Sequence, residues 1–248
     1  MSGDPLIPLP RIVGVGDSGL DVFAYRRALH SMGLVPHAER GRFEANMRDG
    51  VLAFQKQANI TQNGSIGKRT YALLFRHIDA FGRSQLVSYA RRQKIRDTMV
   101  AEQRWAIANT AQIHYPVDDV RGPNETAIAI EKWHNHDLPI TLDCSEFAAC
   151  IASAAGAPDP TGGHTPVTTV TMLAHAHEIT KAELRPGDYV ILGDDPAHQH
   201  ACVVLNVDDP AEPMLTSHGQ EKGPLEIGLT PEADAHPAPV RFFSAGIR

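Results

Sequence analysis

Cysteine is scarce in this chain of 248 residues. Its three thiols, Cys144, Cys150 and Cys202, cannot all pair within one molecule, and no CxxC spacing marks a zinc site. That excludes a disulfide scaffold. Long apolar runs are missing as well: none approaches the ~20 residues that span a bilayer, so no membrane insertion is expected. The opening Met1-Ser2-Gly3-Asp4-Pro5-Leu6 has neither the basic start nor the apolar core of a secretory leader. No signal peptide is therefore expected, and something else must release the protein if it acts outside a cytoplasm. HExxH, the signature of many zinc peptidases, is also absent from the chain.

What is present is ordinary for a globular protein, with 42% hydrophobic and 21% charged residues. The length suits one large or two modest domains. Net charge is −6 but unevenly divided. Residues 1–104 carry +7 (16 Lys/Arg against 9 Asp/Glu), and residues 105–248 carry −13 (7 against 20). Such asymmetry suggests two modules, the basic one drawn to a polyanion, either nucleic acid or an anionic wall polymer.

After a lead-in bearing Pro5, Pro8 and Pro10, the apolar residues Leu20, Phe23, Ala24, Ala28 and Leu29 recur at helical spacing up to Gly33. Ala45, Val51, Leu52 and Phe54 suggest a second helix, and Ser65 to Leu74 a third. These motifs carry a resemblance. Gly41-Arg42-Phe43, then Val51-x-x-Phe54-Gln55-x-x-x-Asn59-Ile60, then Asn63-Gly64-Ser65-Ile66-Gly67-x-x-Thr70 with Leu73-Leu74, resemble a three-helix peptidoglycan-binding domain over roughly residues 14–76. The resemblance implies an all-α bundle (residues 1–78 with the lead-in) whose partner is bacterial peptidoglycan, with no nucleic acid bound. Residues 79–111 read as a basic amphipathic helix, a connector packed on one domain.

From residue 112 to 248 the pattern is helices followed by short apolar runs at 189–192, 201–207, 213–217 and 240–243. That order indicates an α+β domain with an antiparallel sheet. Asp143-Cys144-Ser145-Glu146-Phe147 runs into an alanine-rich helix ending at Gly156. A cysteine in the first turn of a helix meets unpaired N–H groups and the positive end of the dipole, both suited to a thiolate. Fifty-six positions on, Gln199-His200-Ala201-Cys202-Val203-Val204 reads as a strand with a histidine at its start. The next strand ends in His218, placed to orient the His200 ring. Cysteine, base and orienting group make up what a cysteine peptidase needs. Cys150 and Cys202 read as small buried hydrophobes.

Asp143-Cys144-Ser145-x-Phe147, Leu184-x-Pro186-Gly187-Asp188-Tyr189-Val190 and His200-Ala201-x-Val203-Val204 together resemble the papain-like NlpC/P60 cysteine peptidases. By that resemblance Cys144 is the nucleophile, His200 the base and His218 the orienting residue, while Asp143, Ser145 and Tyr115 bind substrate. The Trp-Gly-Gly that usually follows such a tyrosine is absent here. The resemblance implies an endolysin that cuts a stem-peptide bond, D-γ-glutamyl–diaminopimelate, as a monomer without cofactor. It would wait in the host cytoplasm until a holin opens the membrane. An N-acetylmuramoyl-L-alanine amidase using the same pair, or an inactive wall-binding or virion protein, stands as the alternative. Thirteen histidines include three H-x-H pairs, at 134/136, 175/177 and 198/200. In two of them, loop or helix placement makes i and i+2 diverge, and no catalytic metal is expected. His236 reads as a solvated loop residue.

Overall fold

The computed structural model describes residues 7, 9–38, 40–116, 123–164, 166–195, 198–219, 223–236 and 238–247. Most of the proline-bearing lead-in lies outside them. The chain divides into two compact units, Met1–Gln93 and Lys94–Arg248.

The first unit is helical: α1 (Leu20–Ser31), α2 (Ala45–Gln57), α3 (Lys68–Leu74), a 3-10 turn at Phe75–His77, and the opening part of α4 (Ala80–Ala108). The expected three-helix bundle is thus an undercount. Leu86 of α4 is fully buried in the same core as Val22, Tyr25, Leu29, Val51, Phe54 and Tyr71, so the start of α4 is a further wall of this unit. The expected connector is accordingly not a separate segment: the boundary at Gln93 falls inside α4. Gln55 explains much of the motif. Its Nε2 donates to Asn63 Oδ1 (2.9 Å), the Ser65 carbonyl (2.9 Å) and Thr70 Oγ1 (3.0 Å), while its Oε1 accepts from Asn63 N and Gly64 N (both 3.0 Å). A fully buried amide thereby ties α2 to the turn and to α3. Gly64 turns at φ +71, and a Cβ there would stand 2.8 Å from Arg48 Cγ.

The second unit continues with β1 (Ile113–His114), α5 (Pro123–His134), β2 (Ile140–Thr141), α6 (Cys144–Ala155), α7 (Thr169–His175), β3 (His177–Ile179), β4 (Tyr189–Leu192), β5 (His200–Asn206), β6 (Met214–Ser217), β7 (Leu225–Gly228), α8 (Leu229–Ala235) and β8 (Val240–Ser244). Six strands form an antiparallel sheet in the order β3-β8-β4-β5-β6-β7, while β1 and β2 pair in parallel. Strand alternation splits the sheet into two faces. Tyr189, Ile191, Ala201, Val203 and Phe243 share one core with Phe147, Ala148 and Ile151 of α6. Val190, Leu192, Cys202, Val204 and Leu215 form the other with Leu229 of α8.

The Pro186-Gly187-Asp188 turn has a structural cause. Asp188 is fully buried and accepts from Arg185 N (3.0 Å) and Ala245 N (2.9 Å), with Arg96 Nη2 3.4 Å away. Gly187 sits at φ +89 where a Cβ would lie 2.8 Å from Met99 Sδ. Among the described residues, no helix is long and apolar enough to cross a membrane.

Candidate active site

Asp143 caps α6 in extended geometry, and its Oδ1 accepts from Ser145 N and Glu146 N, each at 2.8 Å. Glu146 answers through Oε2, accepting from Asp143 N at 3.0 Å, and its Oε1 accepts from Thr126 Oγ1 at 2.6 Å. This capping box fixes the first turn, and therefore the place of Cys144. Ser145 Oγ donates to Asp143 Oδ1 (2.7 Å) and approaches the Val167 carbonyl (3.2 Å). Asp143 and Ser145, expected to hold substrate, thus build the helix start.

Cys144 is buried, and its thiol lies near enough to the Tyr115 phenol and the His200 ring to raise the pKa of each. Burial raises the Tyr115 phenol pKa, with Cys144 and Asp143 adding to the effect. The structure therefore brings together Tyr115, Cys144 and His200, three of the residues singled out in the sequence.

His200 stands at the start of β5, and its Nε2 lies 2.9 Å from Ser217 Oγ and 3.2 Å from Glu232 Oε1. Ser217 Oγ in turn donates to Glu232 Oε1 at 2.6 Å. Burial works against an imidazolium here, but neighbouring Cys202 and hydrogen bonds to Cys144, Cys202 and Glu232 outweigh it. The His200 pKa is raised well above the ordinary value. Burial acts against the Glu232 carboxylate too, yet the bonds from His200 and Ser217 and the nearby His236 hold its pKa down at about 2. A carboxylate held ionised behind an imidazolium is the electrostatics of an oriented base.

His218 does not fill the orienting role. Its Nε2 donates to the Leu142 carbonyl at 2.9 Å, and its ring lies against Phe147 and Tyr115. Burial outweighs its bonds to backbone carbonyls and lowers its pKa to about 4, so the ring is neutral at pH 7. It is a core histidine under the site. The groups that stand against His200 Nε2 are instead Ser217 and Glu232.

The remaining histidines separate. His134 meets Ser153, His136 stacks on Trp105 at 4.1 Å, His175 lies against His164, and His198 pairs with Asp195. His236 is the exception: its ring stacks on His200 at 4.5 Å and 7°. It is not a solvated loop residue. Cys202 is likewise more than a small hydrophobe, since its Sγ donates to Glu232 Oε1 at 3.6 Å, and burial raises its pKa and keeps it a thiol. Among the described residues, His200, Glu232 and His236 are the group whose ligand atoms converge, all within 4.8 Å of one another. The one signal in the sequence was Leu229-Thr-Pro-Glu-Ala-Asp-Ala-His236, where Glu232 and His236 stand at i,i+4 behind a helix-opening proline.

Residues 18–74 match the family model of a peptidoglycan-binding domain. The N-terminal unit therefore contains a domain of the kind that binds peptidoglycan. No curated protein matches the chain.

Proposed function

We propose that the chain is a peptidoglycan hydrolase of the cysteine peptidase kind, delivered to its substrate by the N-terminal domain. The observation that carries this reading is Cys144 at a capped helix start, near a His200 held from behind by Ser217 and Glu232. Cys144 Sγ, its proton passed to His200, attacks the scissile carbonyl carbon. Because the N–H groups of Ser145 and Glu146 are held by Asp143, the N–H of Cys144 is the first-turn donor left for the oxyanion. His200 then gives its proton to the departing amine as the C–N bond breaks. Water adds to the thioester, returns a proton to His200 and frees the acid. Tyr115, beside both Cys144 and His200, borders the place of the acyl group. The wall-binding domain raises the local concentration of substrate.

In this reading the bond is D-γ-glutamyl–diaminopimelate in the stem peptide, the linkage expected from the NlpC/P60 resemblance. The protein acts as an endolysin that reaches the wall through a holin pore. The test is release of new amino groups from purified diaminopimelate-type peptidoglycan by the native chain and by Cys144→Ala, with mass spectrometry of the fragments. Cleavage lost in the variant supports the mechanism, and the fragment masses name the bond; a new N-terminal L-alanine would make the enzyme an amidase. Equal cleavage by both refutes Cys144 as nucleophile. Sedimentation of both with the wall, without cleavage by either, makes the chain a binding protein.

A further inference from the structure

His236 stands at the end of α8, and its ring lies on the His200 ring with 4.5 Å between centroids and 7° between planes. Its Nε2 is 3.4 Å from Glu232 Oε1, an i,i+4 contact with the carboxylate that also meets His200 Nε2 at 3.2 Å. Imidazole lone pairs lie in the ring plane, so two parallel rings do not aim at one cation. What this geometry provides is contact between ring faces. The His236 side chain is 28% exposed, against 6% for His200 and 7% for Glu232. His236 therefore stands on the solvent side of a buried pair.

A histidine ring turns softly about its Cβ–Cγ bond, because that torsion has broad wells. The contacts of His200 with Ser217 and Glu232 both meet at Nε2. That atom lies close to the line through Cβ and Cγ, so these contacts fix the tip of the ring and leave its twist loose. A flat neighbour on the ring face removes the twist. It also sets a π face against the ring that carries the charge, an attraction that strengthens where water is excluded. His236 suits the part, because burial and the neighbouring His200 lower its own pKa against the pull of Glu232. The proton goes to His200, and the ring stacked on it stays neutral at pH 7.

We propose that His236 is a positioning residue, whose ring holds the plane of the His200 ring and shelters its contact with Glu232 from water. The consequence for catalysis rests on the peptidase reading above. Among the described residues, the titratable groups that face the pair are Glu232 of α8, Cys202 of β5, Cys144 of α6, Tyr115 and His218. Without the stack the His200 ring twists, Glu232 gains water, and the coupling of the base to Cys144 weakens.

The experiment follows iodoacetamide labelling of Cys144 against pH, read by mass spectrometry of its peptide, in the full native chain and in three variants. His236→Ala removes the ring, His236→Gln keeps an N–H donor for Glu232 without a ring, and His236→Phe keeps a flat face that cannot titrate. Circular dichroism checks that each is folded. The Ala and Gln variants should label roughly 10-fold more slowly at pH 7. Their pH of half-maximal rate should rise by about one unit. His236→Phe should stay near the native profile. A native profile in the Ala variant overturns the proposal. So does a native profile in the Gln variant, which would make the contact with Glu232 the cause, or equal loss in all three, which would make it any change at the end of α8. If wall is cleaved, the turnover number should follow labelling through the series with KM unchanged. The expected labelling series in a chain that never cleaves wall upholds the positioning and refutes the peptidase reading. Cleavage by a chain whose labelling ignores His236 overturns the positioning and leaves the peptidase reading standing.

Discussion

His218 is fully buried, and its pKa is lowered to about 4 from an ordinary 6.5. The native chain therefore holds a neutral ring that the unfolded chain protonates once the pH drops below 6.5. Because the folded pKa lies below the unfolded one, this contribution is complete above pH 6.5. It is lost as the pH falls through 6.5 toward 4, where only the unfolded chain binds the proton. The gap corresponds to about 3 kcal/mol in full, of which about 2.5 kcal/mol is lost between pH 7 and pH 4.5. Replacing His218 by Gln removes the titration while leaving an N–H donor for the Leu142 carbonyl. Both tryptophans of the chain, Trp105 and Trp133, belong to the second unit, so tryptophan fluorescence in urea reports the unfolding of that unit. With urea slopes of about 1–3 kcal/mol per molar, the native chelator-treated protein should lose roughly 1–2.5 M of midpoint between pH 7 and 4.5 beyond what His218→Gln loses. The comparison cancels every other group that titrates in both chains. If the two proteins lose stability in parallel, His218 is protonated in the fold or exposed, and the reasoning is wrong.

Three further outcomes are expected. Glu232→Gln should cut the turnover number for wall cleavage by roughly 10- to 100-fold with little change in KM, since it removes the charge behind His200 and leaves substrate contacts alone; an unchanged turnover number would remove Glu232 from the mechanism. Gln55→Leu should leave the N–H groups of Asn63 and Gly64 without their acceptor, at about 1–3 kcal/mol each. Sedimentation with purified wall should then fail, while iodoacetamide still labels Cys144 at the native rate. Asp188→Ala removes the buried carboxylate that faces the Arg96 guanidinium and accepts from Arg185 N and Ala245 N, a loss of about 3–5 kcal/mol, read as a lower urea midpoint in tryptophan fluorescence.

The sequence made the α6 start legible because its determinants are local: a capping aspartate, a cysteine, and Glu146 three positions past the cap. Strands β4, β5, β6 and β8 were legible too, as short apolar runs between turn residues. The orienting group was not. With Val203 opposite Thr216, the register continues to set Ser217 across from Cys202, on the face that carries His200. His218 then falls on the opposite face, against Phe147 of α6. A single residue of register decides between them, and register depends on long-range pairing that no local pattern encodes. Strands β3 and β7 and helix α8 are too short and too polar to announce themselves. The consequence was largest at α8, where Glu232 and His236 reach the site only because the chain folds back across the sheet. Likewise the opening of α4 read as a connector because its charges dominate the pattern, although Leu86 is buried in the first unit's core.

The position of β8 bears on how the protein comes to life. Last of the strands in the sequence, it lies between β3 and β4 in the sheet and bonds to both. Until residue 244 has cleared the ribosome, β3 has no partner and one side of β4 is an open edge. The α8 carboxylate precedes β8 by only a few residues, so the groups around His200 also gather last. The nascent chain consequently lacks the Glu232 side of this cluster for nearly the whole of its synthesis. A premature stop after β4 but before Val240 should leave that strand with an exposed edge and, on the peptidase reading proposed above, an inert product, so that one strand closes both the sheet and the proposed site.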